Sequence, residues 1–139
     1  MSDYNCWIRT NYFRVKDENA LEELLSTCRT NGHLQLRESE EGKKYCFTCD
    51  GRIYGVPDRE APDEAEEDYG AFITGLQKLL PAGEALILME VGHEKFKYLV
   101  GAACLLTANR MMHIDLQEAA IREARQMLGN PSYNTRIEY

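Results

Sequence analysis

The sequence has no nucleotide-binding glycine loop, no cluster of metal ligands and no nucleophile set beside a base, so no familiar catalytic chemistry is legible in it. It also lacks a long apolar stretch. The longest nearly uncharged run, Tyr98 to Ala108, is much shorter than the ~20 residues a membrane helix needs, and reads as a buried strand. Met-Ser-Asp-Tyr-Asn-Cys at the start has neither a basic head nor an apolar core, so no secretory signal is visible and a cytoplasmic location is expected. Clusters of Lys and Arg are missing too, which argues against direct binding of a nucleic-acid backbone, where cations displace counterions. The five cysteines are therefore expected as reduced thiols rather than a disulfide framework.

What is present is acid. Asp58, Glu60, Asp63, Glu64, Glu66, Glu67 and Asp68 are gathered against one cation, Arg59. The net charge is −7, and residues 1–70 hold 16 acidic and 9 basic side chains while residues 71–139 hold 7 of each. The whole excess lies in the first half. A partner with a basic surface fits this asymmetry; the plainer alternative is a solvated face that keeps the protein soluble and monomeric.

With 139 residues, 44% of them hydrophobic, the chain is expected to form a single domain, 1–139, burying roughly two thirds of its unfolded surface. Trp7 to Val15 reads as a first strand. Asp17 then caps a helix with Leu21, Leu24, Leu25 and Cys28 on one stripe, stopped by Asn31-Gly32. Leu34 to Leu36 and Tyr45 to Cys49 form a hairpin around Gly42, and Asp50-Gly51 is either a second hairpin turn or a bulge before Arg52 to Val56. A second helix is expected from near Asp63, with Tyr69, Phe72, Ile73, Leu76, Leu79 and Leu80 inward and Asp63, Glu64 and Glu67 on the opposite face. Ala85 to Val91 pairs with Phe96 to Thr107 across Gly92-His93-Glu94-Lys95, and apolarity on both pleat faces predicts strands covered on both sides. Asp115 and Glu118 start a third helix that Gly129-Asn130-Pro131 ends, and Thr135 to Tyr139 adds a last strand. The order β-α-β-β-α-β-β-α-β is an α+β domain with a mainly antiparallel sheet, ferredoxin-like in its first part.

Candidate chemistry is sparse. Cys46 and Cys49 have metal spacing but lack two companion ligands, and an odd offset along a strand sends their thiols to opposite faces. Cys28 and Cys104 sit in apolar stripes and read as core thiols; Cys6, near the terminus, is uninformative. His33, His93 and His113 each fall at an expected turn or helix entrance without a paired carboxylate, and read as exposed loop residues. The acidic run lacks the alternating oxygens and central Gly of an EF-hand. No metal, cofactor or catalytic residue is expected.

Several stretches resemble a group of small acidic proteins of unassigned function from phages and mobile elements of Gram-positive gut bacteria. These are Asn11-Tyr-Phe-Arg-Val15, Leu76-Gln-Lys-Leu-Leu-Pro81, Gly92-His-Glu-Lys95 leading to Tyr98, and Met127-Leu-Gly-Asn-Pro131. The resemblance implies an accessory role such as countering host defence, including CRISPR and restriction systems, and transfers no functional residue.

The expectation is a non-catalytic acidic binding protein, an inhibitor of a nucleic-acid-handling host enzyme by charge mimicry. Carboxylates three or four apart on a helix stand about 5–6 Å apart, comparable with successive phosphates. The partner-binding residues are then Asp58, Glu60, Asp63, Glu64, Glu67 and Asp68, with Tyr54 and Tyr69 flanking them; Tyr69 is expected mainly in the core. The alternatives are a small metal-dependent enzyme using the same carboxylates, and a homo-oligomeric structural protein pairing through an exposed strand edge.

Overall fold

A computed structural model describes residues 4–57, 67–94 and 98–137. Along the chain these form β1 (Tyr4–Thr10), α1 (Glu18–Ser26), β2 (Arg29–Thr30), β3 (Leu34–Glu38), β4 (Tyr45–Cys49), β5 (Ile53–Pro57), β6 (Glu67–Asp68), α2 (Tyr69–Leu79), β7 (Leu86–Glu94), β8 (Tyr98–Leu106), β9 (Met111–Asp115) and α3 (Leu116–Leu128). The class is α+β, as expected. One antiparallel sheet has the order β3-β4-β1-β7-β8-β9, and a small one the order β2-β5-β6.

Four strands and two helices reproduce the ferredoxin-like run. Helix α1 carries the chain from β1 past β4 to β3, and α2 carries it past β1 to β7, so the strands lie as β3-β4-β1-β7. The small sheet interrupts this run, while β8, β9 and α3 extend it at one edge.

Local chemistry sets most boundaries. The Asp17 carboxylate accepts the amides of Asn19 and Ala20 at 2.9 and 3.3 Å, which starts α1. Asp115 does the same for α3 through the Glu118 amide at 3.1 Å, and Gly129 at φ 62° closes that helix in the left-handed conformation. Between β3 and β4, Gly42 at φ 70° completes the expected hairpin, with Ser39 and Lys44 joined at 2.8 Å.

Other boundaries differ from expectation. Strand β1 ends at Thr10, where Asn11 keeps one ladder bond, its amide donating to the Ile87 carbonyl at 3.2 Å, while its side chain takes over the rest: its Oδ1 accepts the Ile87 amide at 2.7 Å and its Nδ2 donates to the Ala85 carbonyl at 3.1 Å. Asp50-Gly51 makes neither a hairpin nor a bulge; the chain crosses there from the large sheet to the small one. Strand β7 runs through His93 to Glu94, so the expected turn at Gly92 is strand. His113 likewise lies in β9 rather than at a helix entrance. The expected last strand is absent over residues 135–137, and residues 138–139 lie outside the described residues.

The core occupies one side of the large sheet. Ile8, Phe47, Cys49, Leu88 and Leu106 point inward to meet Leu21 and Leu25 of α1 and Phe72, Ile73 and Leu76 of α2. Phe47 stands edge-on to both Phe13 and Phe72, with centroids 6.2 Å apart in each pair. The other side is not covered as the apolar runs suggested: Trp7, Ile87, Met89, Val91 and Leu99 are exposed there.

Candidate functional site

The described residues on either side of 58–66 belong to the small sheet. Val56 pairs with Asp68 and Pro57 with Glu67, so the residues on either side of 58–66 lie next to one another. Gly55 makes this approach tight. Its φ of +134° is one that L side chains rarely adopt, and a Cβ there would lie 2.5 Å from the Asp68 carbonyl carbon and 2.6 Å from the Tyr69 nitrogen. Strand pairing at Glu67 and Asp68 also delays α2, which starts at Tyr69 and not near Asp63. Glu67, expected on the face of α2 opposite its apolar stripe, therefore lies in β6 instead, while Asp63 and Glu64 of that expected face lie outside the described residues. The Asp68 carboxylate is instead the N-cap of α2, accepting the Ala71 amide at 3.2 Å. Asp58, Glu60, Asp63 and Glu64 lie outside the described residues.

Beside this base opens a cleft of about 880 Å³ between α2, β5 and the inner face of β7, β8 and β9. Ile73, Leu88, Val100, Ala102 and Cys104 contribute its apolar lining, and Tyr4, Tyr54 and Tyr69 its aromatic one. Tyr54 and Tyr69 are 37% and 41% exposed, so Tyr69 is not the core residue its stripe position suggested. Its ring still leans on Phe72 at 6.0 Å, and burial of the hydroxyl end pushes it up to about 12, with the charge range of Cys104 and Glu90 adding to the shift. The Arg52 guanidinium lies 5.6 Å from the Tyr54 ring centre, a cation–π contact.

One carboxylate sits in this cleft. Glu90 accepts the Tyr4 hydroxyl at 2.5 Å. Burial first, then the Glu90 carboxylate, raises the Tyr4 phenol far above its ordinary value, so it stays a donor. Burial, with Glu90 nearby, pushes the Cys6 thiol up to about 11, and burial raises Cys104 as well. Protonated thiols are poor nucleophiles. The cleft supplies shape, aromatic faces and one hydrogen-bonded acid, a set suited to holding a ligand or side chain.

The remaining candidates are scattered. Cys46 and Cys49 are both buried and alternate across β4, as their spacing predicts. Cys28 is half-buried against the core. His33 lies exposed ahead of β3, His93 touches the Trp7 ring at 6.3 Å on the outer face, and His113 lines the cleft. Among the described residues no group of three or more His, Cys, Asp or Glu is placed to hold a metal ion, and no helix is long and apolar enough to cross a membrane. The cleft escaped the sequence because its lining comes from six separate elements; the only hint was Glu90 interrupting an apolar strand.

The fold and site define an α+β protein with a ferredoxin-like core, an acidic connection rooted in a small side sheet, and a tyrosine-lined cleft next to that root. Compared with known proteins, the chain matches no protein-family model, no curated protein and no solved structure.

Proposed function

We propose that this chain is a non-catalytic acidic binding protein whose partner is a protein with a basic, nucleic-acid-binding cleft, met by the 58–68 segment in place of nucleic acid. The observation that carries the reading is the pairing of Val56 with Asp68 and Pro57 with Glu67. It ties a stretch of seven carboxylates and one cation, Arg59, to a fixed root on the domain. Exposed Tyr54 and Tyr69 beside the root are suitable aromatic anchors. Electrostatics then speeds encounter, and the tyrosines set residence time. Inhibition of a host-defence enzyme, of the anti-CRISPR or anti-restriction type, is the form of this role that the family resemblance suggests.

The test uses the partner captured on the immobilised protein from its native host. The variant Glu60→Lys, Asp63→Lys, Glu64→Lys leaves the Asp68 cap intact. Its association with the partner should slow by at least tenfold while its circular dichroism stays native, and wild-type association should fall with salt over a Debye length of about 8 Å at physiological ionic strength. Duplex DNA or RNA should compete with the wild type for the partner. A folded variant that binds as fast as the wild type reduces the segment to a solubilising face.

A further inference from the structure

We infer that the outer face of the large sheet is the interface of a two-fold homodimer. Pairing registers align Arg9, Met89, Ala103 and Ile114 in one row across the face and Trp7, Val91 and Gly101 in the next. In these rows and their neighbours, the outward positions of β7, β8 and β9 carry no Asp, Glu, Lys or Arg, in a chain that is 28% charged. Arg9, the outward cation of β1, is tied to Asp50 at 3.3 Å.

The exposure is at the upper end for a monomer's surface. Trp7 is 46% exposed, Met89 49%, Val91 52% and Leu99 72%, with Met112 and Leu116 adding to the same side. Together they expose several hundred Å², near the upper end of what ordinary monomers show and close to one partner's share, ~800 Å², of a standard interface. Among the described residues, only α3 reaches over this face, and it covers it in part. Leu116 lies over Gly101, but no residue of α3 is fully buried and Leu116 remains 67% exposed.

A second copy is the occupant that fits. An electrostatically steered partner finds no complement on the uncharged β7, β8 and β9 part of the face, whereas a two-fold axis places an equal apolar area opposite each copy. Two such sheets pack face to face about 10 Å apart, with strands some 30° from parallel. Trp7 offers a rigid anchor, and Met89 and Met112 are flexible enough to fill the space around it. The surface differs from the strand-edge pairing that an antiparallel sheet first suggests.

Sedimentation equilibrium of the full chain, from low to several hundred micromolar, should show a species of twice 15.9 kDa. Trp7 is the sole tryptophan, so its emission should shift to the blue as concentration rises. Met89→Lys should weaken self-association at least tenfold and hold the emission at its dilute position. Leu99→Lys, at a still more exposed position, should act the same way and serves if Met89→Lys does not fold. A wild type that stays monomeric with constant Trp7 emission overturns the proposal. So does a dimer that both folded lysine variants leave intact, which would assign pairing to the edges β3 or β9.

Discussion

Glu84 shows how one side chain can join distant parts of the chain. Its Oε2 accepts the Arg14 amide at 2.8 Å and the Arg14 Nε at 3.1 Å, and its Oε1 accepts the Ala85 amide at 3.0 Å. Burial alone would raise its pKa, but the hydrogen bonds and the Arg14 guanidinium outweigh it and hold the group below the ordinary 4.5. A depressed carboxyl stabilises the fold above the unfolded value and loses that contribution as pH falls through the folded one. Glu84→Gln should therefore cost about 1 kcal/mol at neutral pH, modest because Arg14 is half exposed. Its stability should converge with that of the wild type as pH drops below 4.5, measured by urea melts across pH. Asp68 gives a second prediction. Asp68→Ala should cost about 1 kcal/mol by removing the α2 cap, and Asp68→Asn much less, because an amide oxygen still accepts from Ala71. Equal losses would show that charge, not the cap bond, matters there.

Helix α2, like α1, builds the core, whereas α3 does not. Phe72 and Leu76 of α2 are essentially inaccessible and touch both the sheet and its helical neighbour's layer. Phe72→Ala should cost about 3–5 kcal/mol and Leu76→Ala about 2–5 kcal/mol, read from denaturant midpoints at constant slope. In α3, Met127 is 88% exposed, and Met127→Ala should change monomer stability by no more than about 0.5 kcal/mol. Both helices are amphipathic in sequence. A 3.6-residue stripe states that a helix has an apolar side; it does not state what lies against it. The same ambiguity affects β7 and β8, whose apolar residues on both pleat faces predicted two covered sides where the described residues cover one fully and the other only in part. The cap residues Asp17 and Asp115 and the stop at Gly129 were legible because their bonds reach only two to four residues along the chain. The start of α2 was not, because strand pairing with β5 competes with helix formation at Glu67 and Asp68.

For the whole molecule, a binding role without covalent chemistry makes a clear demand on the thiols. Cys6, Cys46, Cys49 and Cys104 are buried, and burial pushes Cys6 and the half-buried Cys28 each to about 11. In the native protein at pH 8 a disulfide thiol reagent should modify them far more slowly than a free cysteine, with all five released in denaturant. One thiol reacting at the free rate would mark a nucleophile and favour an enzyme. A strong chelator should leave the melting temperature unchanged, since Cys46 and Cys49 face opposite ways; a chelator-sensitive fold would show a metal site.

Composition and short-range pattern by themselves determined the α+β class, the antiparallel sheet, the βαββαβ run and the concentration of acid between Asp58 and Asp68. Each depends on residues near one another in the chain, through capping bonds, pleat alternation or local charge. Only the tertiary structure decided that Asp68 is a cap, that Tyr54, Tyr69 and the Tyr4–Glu90 pair share a cleft, and that Trp7, Met89 and Val91 form one open face. Those relations join strands up to 86 residues apart. They arise from sheet order and register, which the competition among all strands for partners sets and no single stretch encodes.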